Sequence, residues 1–173
     1  MKAAFGFFTG EGMVQGSTGD PLIPAMTDYT VPSGVASADS EYTPGYPAWR
    51  PFNQEVNIVT DAWAPEIDPG NSPYPRQTGW LAYEFPAPVV VRSYEITGCA
   101  GHDTGSLSGL PKDWTFEGWD GAAWIVLNTH TNGSGEGVYS FSNGTSYIRY
   151  RLNVTATQTT NGLQIGNLQM FSA

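Results

Sequence analysis

The sequence predicts an all-β domain, a sandwich or a barrel, on three observations. Short runs of alternating apolar and polar residues fill the chain from Trp80 onward, with the period expected of half-buried strands. Asp-Gly and Asn-Gly pairs stand between or after these runs, where a tight turn needs positive φ. Charge is sparse: only 13% of the 173 residues are charged, and 21 Gly and 13 Pro punctuate the chain. That is about half the usual charge content of a soluble domain, so long surface helices are not expected. The length suits one domain, or one domain with an extension.

Residues 1–32 show no period. Gly and Pro break them up, with Phe5, Phe7 and Phe8 near the start and Pro21, Pro24 and Pro32 later. Each Phe gains about 1.5–3 kcal/mol on burial, so the stretch reads as an irregular arm that packs on its own domain or on another subunit. The domain proper is read as 33–173. Within it, residues 56–79 are irregular and carry Pro65, Pro69, Pro73 and Pro75, a length that a compact domain usually keeps for function.

The first strand run, WLAYEF at 80–85, puts Leu81, Tyr83 and Phe85 on one face. VVVRSYEI (89–96) and DWTFEGW (113–119) follow, and Asp120-Gly121 joins the latter to AWIVL (123–127) as a hairpin. In YIRYRLNV (147–154), Ile148, Tyr150, Leu152 and Val154 form the inward face, with Tyr147, Arg149, Arg151 and Asn153 outward. LQIGNLQMF (163–171) is the last run. Trp80, Trp114 and Trp124 are read as core, and the two arginines as solvated or paired with acids. Trp119, beside the hairpin turn, is read as an exposed residue that can mark a partner surface.

Composition and motifs exclude several functions. The formal net charge is −9 and both halves are acidic, which is the wrong sign for a nucleic-acid or anionic-membrane surface. The single cysteine, Cys99, rules out an internal disulfide and a clustered thiolate metal site. The apolar run Ala3–Phe8 is shorter than a secretory core, so no signal peptide is expected, and no stretch suits a bilayer span. The two histidines, His102 and His130, stand in no recognisable catalytic setting, and nucleophile elbow, zinc-helix and phosphate-loop motifs are missing. The chain is therefore expected not to be an enzyme.

A set of segments carries a resemblance: Glu41-Tyr42 with Gly45–Asn53, Trp80–Phe85, Leu110–Gly118 with Asp120-Gly121 and Trp124, Tyr147–Leu152, and Ile165–Phe171. In this order and spacing they resemble the discoidin domain, also called the coagulation factor 5/8 type C domain, over about residues 33–173. The resemblance implies an eight-stranded antiparallel jelly-roll β-sandwich of the galactose-binding-like kind, presenting loops at one end to a ligand, most often a glycan. Trp49 and Phe52, in its early motif, are expected to pack under the sheet.

A sugar site needs an apolar ring face and convergent polar groups on rigid loops. The resemblance brings three segments to one end: 56–79 with Trp63, Tyr74 and Arg76; 98–104 with His102 and Asp103; and 157–161 with Asn161. Trp63 either offers a stacking face or plugs the end of the sandwich, and His102 either contacts ligand or faces solvent. Many discoidin relatives hold a structural calcium near the early motif. Here Asn53 stands where an Asp is expected and Gly166-Asn167 where a late acid is expected, leaving Glu55 and Asp61 as substitutes.

Two functions are expected. The first is a non-catalytic carbohydrate-binding module with a cell-surface glycan as partner. The second is a structural virion subunit of a bacteriophage tail or capsid, with residues 1–32 contacting other virion or self subunits. The expected location is a virion, or the outside of a cell after non-classical release.

Overall fold

Alternation of apolar and polar side chains closes the chain into two facing antiparallel sheets. The computed structural model describes residues 19–55, 61–98 and 109–173. Among the described residues the strands are β1 (Val35–Ala38), β2 (Gly79–Val89), β3 (Ser93–Thr97), β4 (Pro111–Trp119), β5 (Trp124–His130), β6 (Gly137–Ser140), β7 (Tyr147–Thr157) and β8 (Asn167–Phe171). One sheet has the order β1-β2-β7-β4-β5 and the other β6-β3-β8. Among the described residues one turn of 3-10 helix, Arg50–Phe52, is the helical exception. This is the predicted sandwich.

Leu81, Tyr83 and Phe85 of β2 face inward as expected, against Tyr150, Leu152 and Val154 of β7 and against Trp114 and Phe116 of β4. From the smaller sheet Tyr94 meets them, stacked on Phe116 with ring centroids 4.2 Å apart. Trp114 donates its indole N–H to the Tyr94 hydroxyl at 2.8 Å, and that hydroxyl donates to Asn128 at 3.0 Å. A chain of hydrogen bonds thus satisfies the polar atoms at the centre of the core.

The predicted runs err where a strand changes direction. VVVRSYEI is not one strand: β2 ends at Val89, β3 begins at Ser93, and the chain crosses between sheets in the gap. Tyr150 pins this crossing, donating to the Val89 carbonyl at 2.7 Å and accepting from the Val91 amide at 3.3 Å. The register between β2 and β7 shifts between Glu84 and Val89, so Tyr147 turns inward and Ile148 outward, the reverse of strict alternation. Tyr147 fits because Gly118 has no side chain: a Cβ there would lie 2.6 Å from the Tyr147 ring. Only Asn167–Phe171 of the last run is strand, and β1 and β6 carry no run long enough to predict.

On the outer face of the larger sheet both arginines are paired, Arg149 with Glu84 and Arg151 with Glu117. Arg151 also lies over the Trp124 ring at 4.3 Å, and Trp124 packs on Trp119 at 5.3 Å. Trp124 is thus half-buried on this outer face rather than in the core. The Asp120-Gly121 hairpin forms as predicted, with Gly121 at φ +102° and the Asp120 carboxylate accepting from the amides of Ala122 and Ala123.

Residues 19–32, the described part of the predicted arm, pack on their own domain. Ile23 and Met26 are buried, Leu22 donates to the Met170 carbonyl of β8 at 2.8 Å, and Met26 to that of Phe52 at 3.0 Å. Phe5, Phe7 and Phe8 lie outside the described residues.

Candidate functional site

The registers place four connections at one end of the sandwich: the long segment between β1 and β2, the flanks Gly98 and Gly109, the β5–β6 turn, and residues 158–166. Hydrogen bonds tie them together, from Gly98 to Glu136 at 2.8 Å and from Gln164 to Gly109 at 2.8 Å. The described flanks of the three predicted loop segments therefore meet at a common rim. His102 and Asp103 lie outside the described residues.

Trp63 takes the second of its two expected roles. It is fully buried, its indole N–H donates to the Ser40 carbonyl at 2.9 Å, and its backbone pairs with Ile165 in both directions at 2.9 Å. With no face in solvent it plugs the sandwich end and offers no stacking surface, which corrects its assignment to the ligand.

Tyr74 and Arg76 stand on a small hairpin, residues 66–76. Asp68-Pro69-Gly70-Asn71 makes its turn: Pro69 presets φ, the Asp68 carboxylate accepts from Gly70 at 2.8 Å, and the Asn71 amide donates to the Asp68 carbonyl at 3.0 Å. Asp68 with Tyr74, and Arg76 with Glu66, close the stem. The hairpin is fastened to the rim from two sides. Asn71 donates to the Thr160 carbonyl at 2.6 Å, next to the exposed Asn161, and Tyr42 donates to the Pro73 carbonyl at 3.0 Å. Gly162, at φ +87°, allows a close approach, since a Cβ there would lie 2.5 Å from the Pro75 carbonyl.

Arg76 binds Asp39 at 2.8 Å and Ser40 at 2.6 Å and has Glu66 at 3.6 Å. Its charge is largely spent on holding the hairpin to the segment after β1. Tyr74, 44% exposed, is the outermost aromatic of the rim. Tyr74, Arg76 and Asn161 are thus on two loops that touch.

Beside the rim runs a groove that the sequence reading did not find. Phe52 packs in the core as expected, but Trp49 is only half-buried and lines two adjoining depressions of about 610 and 360 Å³, both of which also include Arg50. Tyr29, Glu41, Tyr42, Pro44 and Pro47 line the larger one. Both carboxylate oxygens of Glu41 accept from the Tyr29 hydroxyl, at 2.8 and 2.9 Å, and one accepts from the Ala48 amide at 2.8 Å. Loss of hydration and then the Glu41 hydrogen bond and charge push the Tyr29 hydroxyl up to about 12. Arg50 lies 5.8 Å from the Trp49 ring centroid. Prolines 47 and 51 fix the short turn that holds Trp49 and Arg50, and in a motif otherwise aimed at the core no period reveals that exposed face.

The substitute calcium candidates Asn53, Glu55 and Asp61 do not fit the ion. Asp61 is buried, but its carboxylate accepts from Asn53 at 2.7 Å and lies 3.4 Å from Arg50, so nitrogen donors rather than oxygens converge on it. Glu55 is exposed. Asn167, at the late position, is engaged by Gln169. Among the described residues no three His, Cys, Asp or Glu side chains converge on a point. Calcium needs several oxygens with carboxylate charge among them, which this set does not supply.

His130, the one described histidine, stacks on Trp114 at 4.6 Å and meets Tyr139 edge-on at 4.5 Å. It is part of an aromatic box, and burial lowers its pKa.

No protein-family model and no curated protein matches the chain. Solved structures do. The family 32 carbohydrate-binding module of Streptococcus pneumoniae EndoD matches with a TM-score of 0.64 at 14% identity, covering 89% of this chain and 100% of the module. Chitosan-binding module 1 of a Paenibacillus sp. IK-5 chitosanase/glucanase matches with 0.64 at 16%, covering 88% and 99%. The family 32 module of Clostridium perfringens NanJ, solved with galactose, matches with 0.60 at 15%, covering 80% and 93%. The chain therefore shares the two-sheet β-sandwich fold of these family 32 carbohydrate-binding modules.

Proposed function

We propose that the protein is a non-catalytic carbohydrate-binding module that holds a glycan at the rim carrying Tyr74, Arg76 and Asn161. The observation that carries this reading is Tyr74: an exposed ring on a hairpin fastened by hydrogen bonds from two neighbouring loops. A ring held this way can stack on a pyranose face at small entropic cost, while Asn161 and the outer edge of Arg76 supply hydrogen bonds. His102 and Asp103 belong to the same reading as polar partners from the third loop. The shared fold supports it, since neighbours were solved with galactose, with chitotriose and with an unsaturated mannuronic acid.

Isothermal titration of the protein with galactose, N-acetylglucosamine, glucosamine and their short oligomers tests it. Binding to one of these sugar classes is expected, weakened roughly tenfold in Tyr74→Ala and reduced in His102→Ala. Heat flat for every sugar at millimolar concentration would reject the proposal.

A further inference from the structure

We infer that the Trp49 groove is a second pyranose subsite, so that the ligand is a chain of neutral or amino-bearing sugars rather than a single terminal residue. This rests on the carbohydrate reading of the rim and extends it.

Tyr42 makes the two places one surface. Its ring lines the groove, its hydroxyl holds the Pro73 carbonyl of the hairpin that carries Tyr74, and its amide donates to the Ala64 carbonyl at 2.8 Å. A ligand leaving the Tyr74 rim over Pro73 therefore meets the wall of the groove. The larger depression, about 610 Å³, falls within the roughly 300–1,000 Å³ typical of ligand sites.

The lining has the two components a sugar requires. Trp49, Tyr42, Pro44 and Pro47 give flat, C–H-rich walls. Glu41 gives fixed acceptors: the Tyr29 hydroxyl and the Ala48 amide hold its carboxylate, so no side-chain freedom is lost when a sugar hydroxyl or ammonium approaches. Trp49 packs one side of its ring on the core beside the fully buried Phe52 and leaves the other side to the groove.

Charge narrows the class. Glu41 and Asp61 flank Arg50 in the groove, Asp39 and Glu66 flank Arg76 at the rim, and the chain carries −9 overall. Each arginine is thus outnumbered by acids. Uronates and sulfated sugars would meet repulsion at both places, whereas neutral rings would not and amino sugars would be attracted.

The test compares chain lengths. The protein is titrated with N-acetylglucosamine, glucosamine and galactose, with their oligomers of two to four units, and with mannuronate oligomers. The best oligomer is expected to bind at least tenfold tighter than its monomer. Trp49→Ala is expected to remove that gain, while Tyr74→Ala weakens monomer and oligomer binding alike. Because Trp49 also touches the core, 19F NMR of the 5-fluorotryptophan-labelled wild-type protein, with Trp49 assigned through Trp49→Phe, gives an independent readout. Its resonance is expected to move with oligomer and stay still with monomer.

Equal affinity for monomer and oligomer, a length gain that survives Trp49→Ala, or a still Trp49 signal under oligomer overturns the subsite and leaves the rim standing. Preference for mannuronate overturns the charge assignment. No binding to any sugar overturns the rim reading and the subsite together.

Discussion

The guanidinium of Arg50 lies 3.4 Å from the buried carboxylate of Asp61, and the Asn53 amide donates to its other oxygen at 2.7 Å. One cation and one amide of the protein itself thus occupy the carboxylate that was a substitute candidate for a calcium ligand. Adding calcium or a chelator is expected to leave the melting temperature unchanged within about 1 °C, because a saturated site would add roughly 2.7 kcal/mol at a hundredfold excess over its dissociation constant, a shift of several degrees. Asp61→Ala is expected to lose about 1–3 kcal/mol by removing the buried carboxylate to which the half-buried Arg50 and Asn53 side chains bond. Calorimetry of both proteins checks this.

Tyr94 joins Trp114 to Asn128 through a single hydroxyl. Tyr94→Phe keeps the ring stacked on Phe116 but strands a donor and an acceptor, so a loss of about 1–3 kcal/mol in urea unfolding is expected. Burial also raises the pKa of Tyr94, Tyr83 and Tyr150 above that of a free tyrosine. Each holds its proton more tightly folded than unfolded. The stability this contributes is whole below about pH 10 and declines as pH climbs through the raised folded values. The alkaline decline should be shallower in Tyr94→Phe.

His130 has the opposite sign. Burial against Trp114 and Tyr139 lowers its pKa, so the unfolded chain takes up this proton first. Its contribution is complete above about pH 6.5 and is lost as pH falls through the lowered folded value. Urea midpoints measured from pH 4 to 8 are expected to show that acid slope, reduced in His130→Phe. An identical slope in the two proteins would contradict it.

Gly162 links backbone geometry to ligand binding. Alanine there is disfavoured at φ +87°, and its Cβ would press on the Pro75 carbonyl from 2.5 Å, displacing the hairpin that bears Tyr74. Gly162→Ala is expected to lose about 1–2 kcal/mol of stability and to weaken sugar binding more than an exposed-loop change such as Gly144→Ala, whose site is open. Parallel melting and sugar-titration curves decide this.

Much of the fold was legible because strands write their period into the chain. Leu81, Tyr83 and Phe85 had to face one way, and the Asp120-Gly121 turn follows from a positive φ. Alternation fails where backbone irregularity intervenes: the register shift that swaps Tyr147 with Ile148 leaves no trace in hydropathy. β1 and β6, four residues each, fall below any readable window. The site was legible only in part. The resemblance pointed to the loop that carries Tyr74, but the burial of Trp63 depends on Ile165, a hundred residues on, and on Ser40. The groove at Trp49 was hidden because the resemblance puts that residue under the sheet with Phe52, whereas here the short turn leaves one side of the ring uncovered.

Backbone amide NMR of the 15N-labelled protein, titrated with the best-binding oligosaccharide, tests the central claim most directly. Binding at the rim and groove predicts shifts concentrated at Tyr42, Trp49, Tyr74, Arg76 and Asn161, with the Trp119–Trp124 end of the sandwich unchanged. Shifts centred on Trp119, Trp124 and Arg151, or none with any neutral or amino sugar, would contradict it.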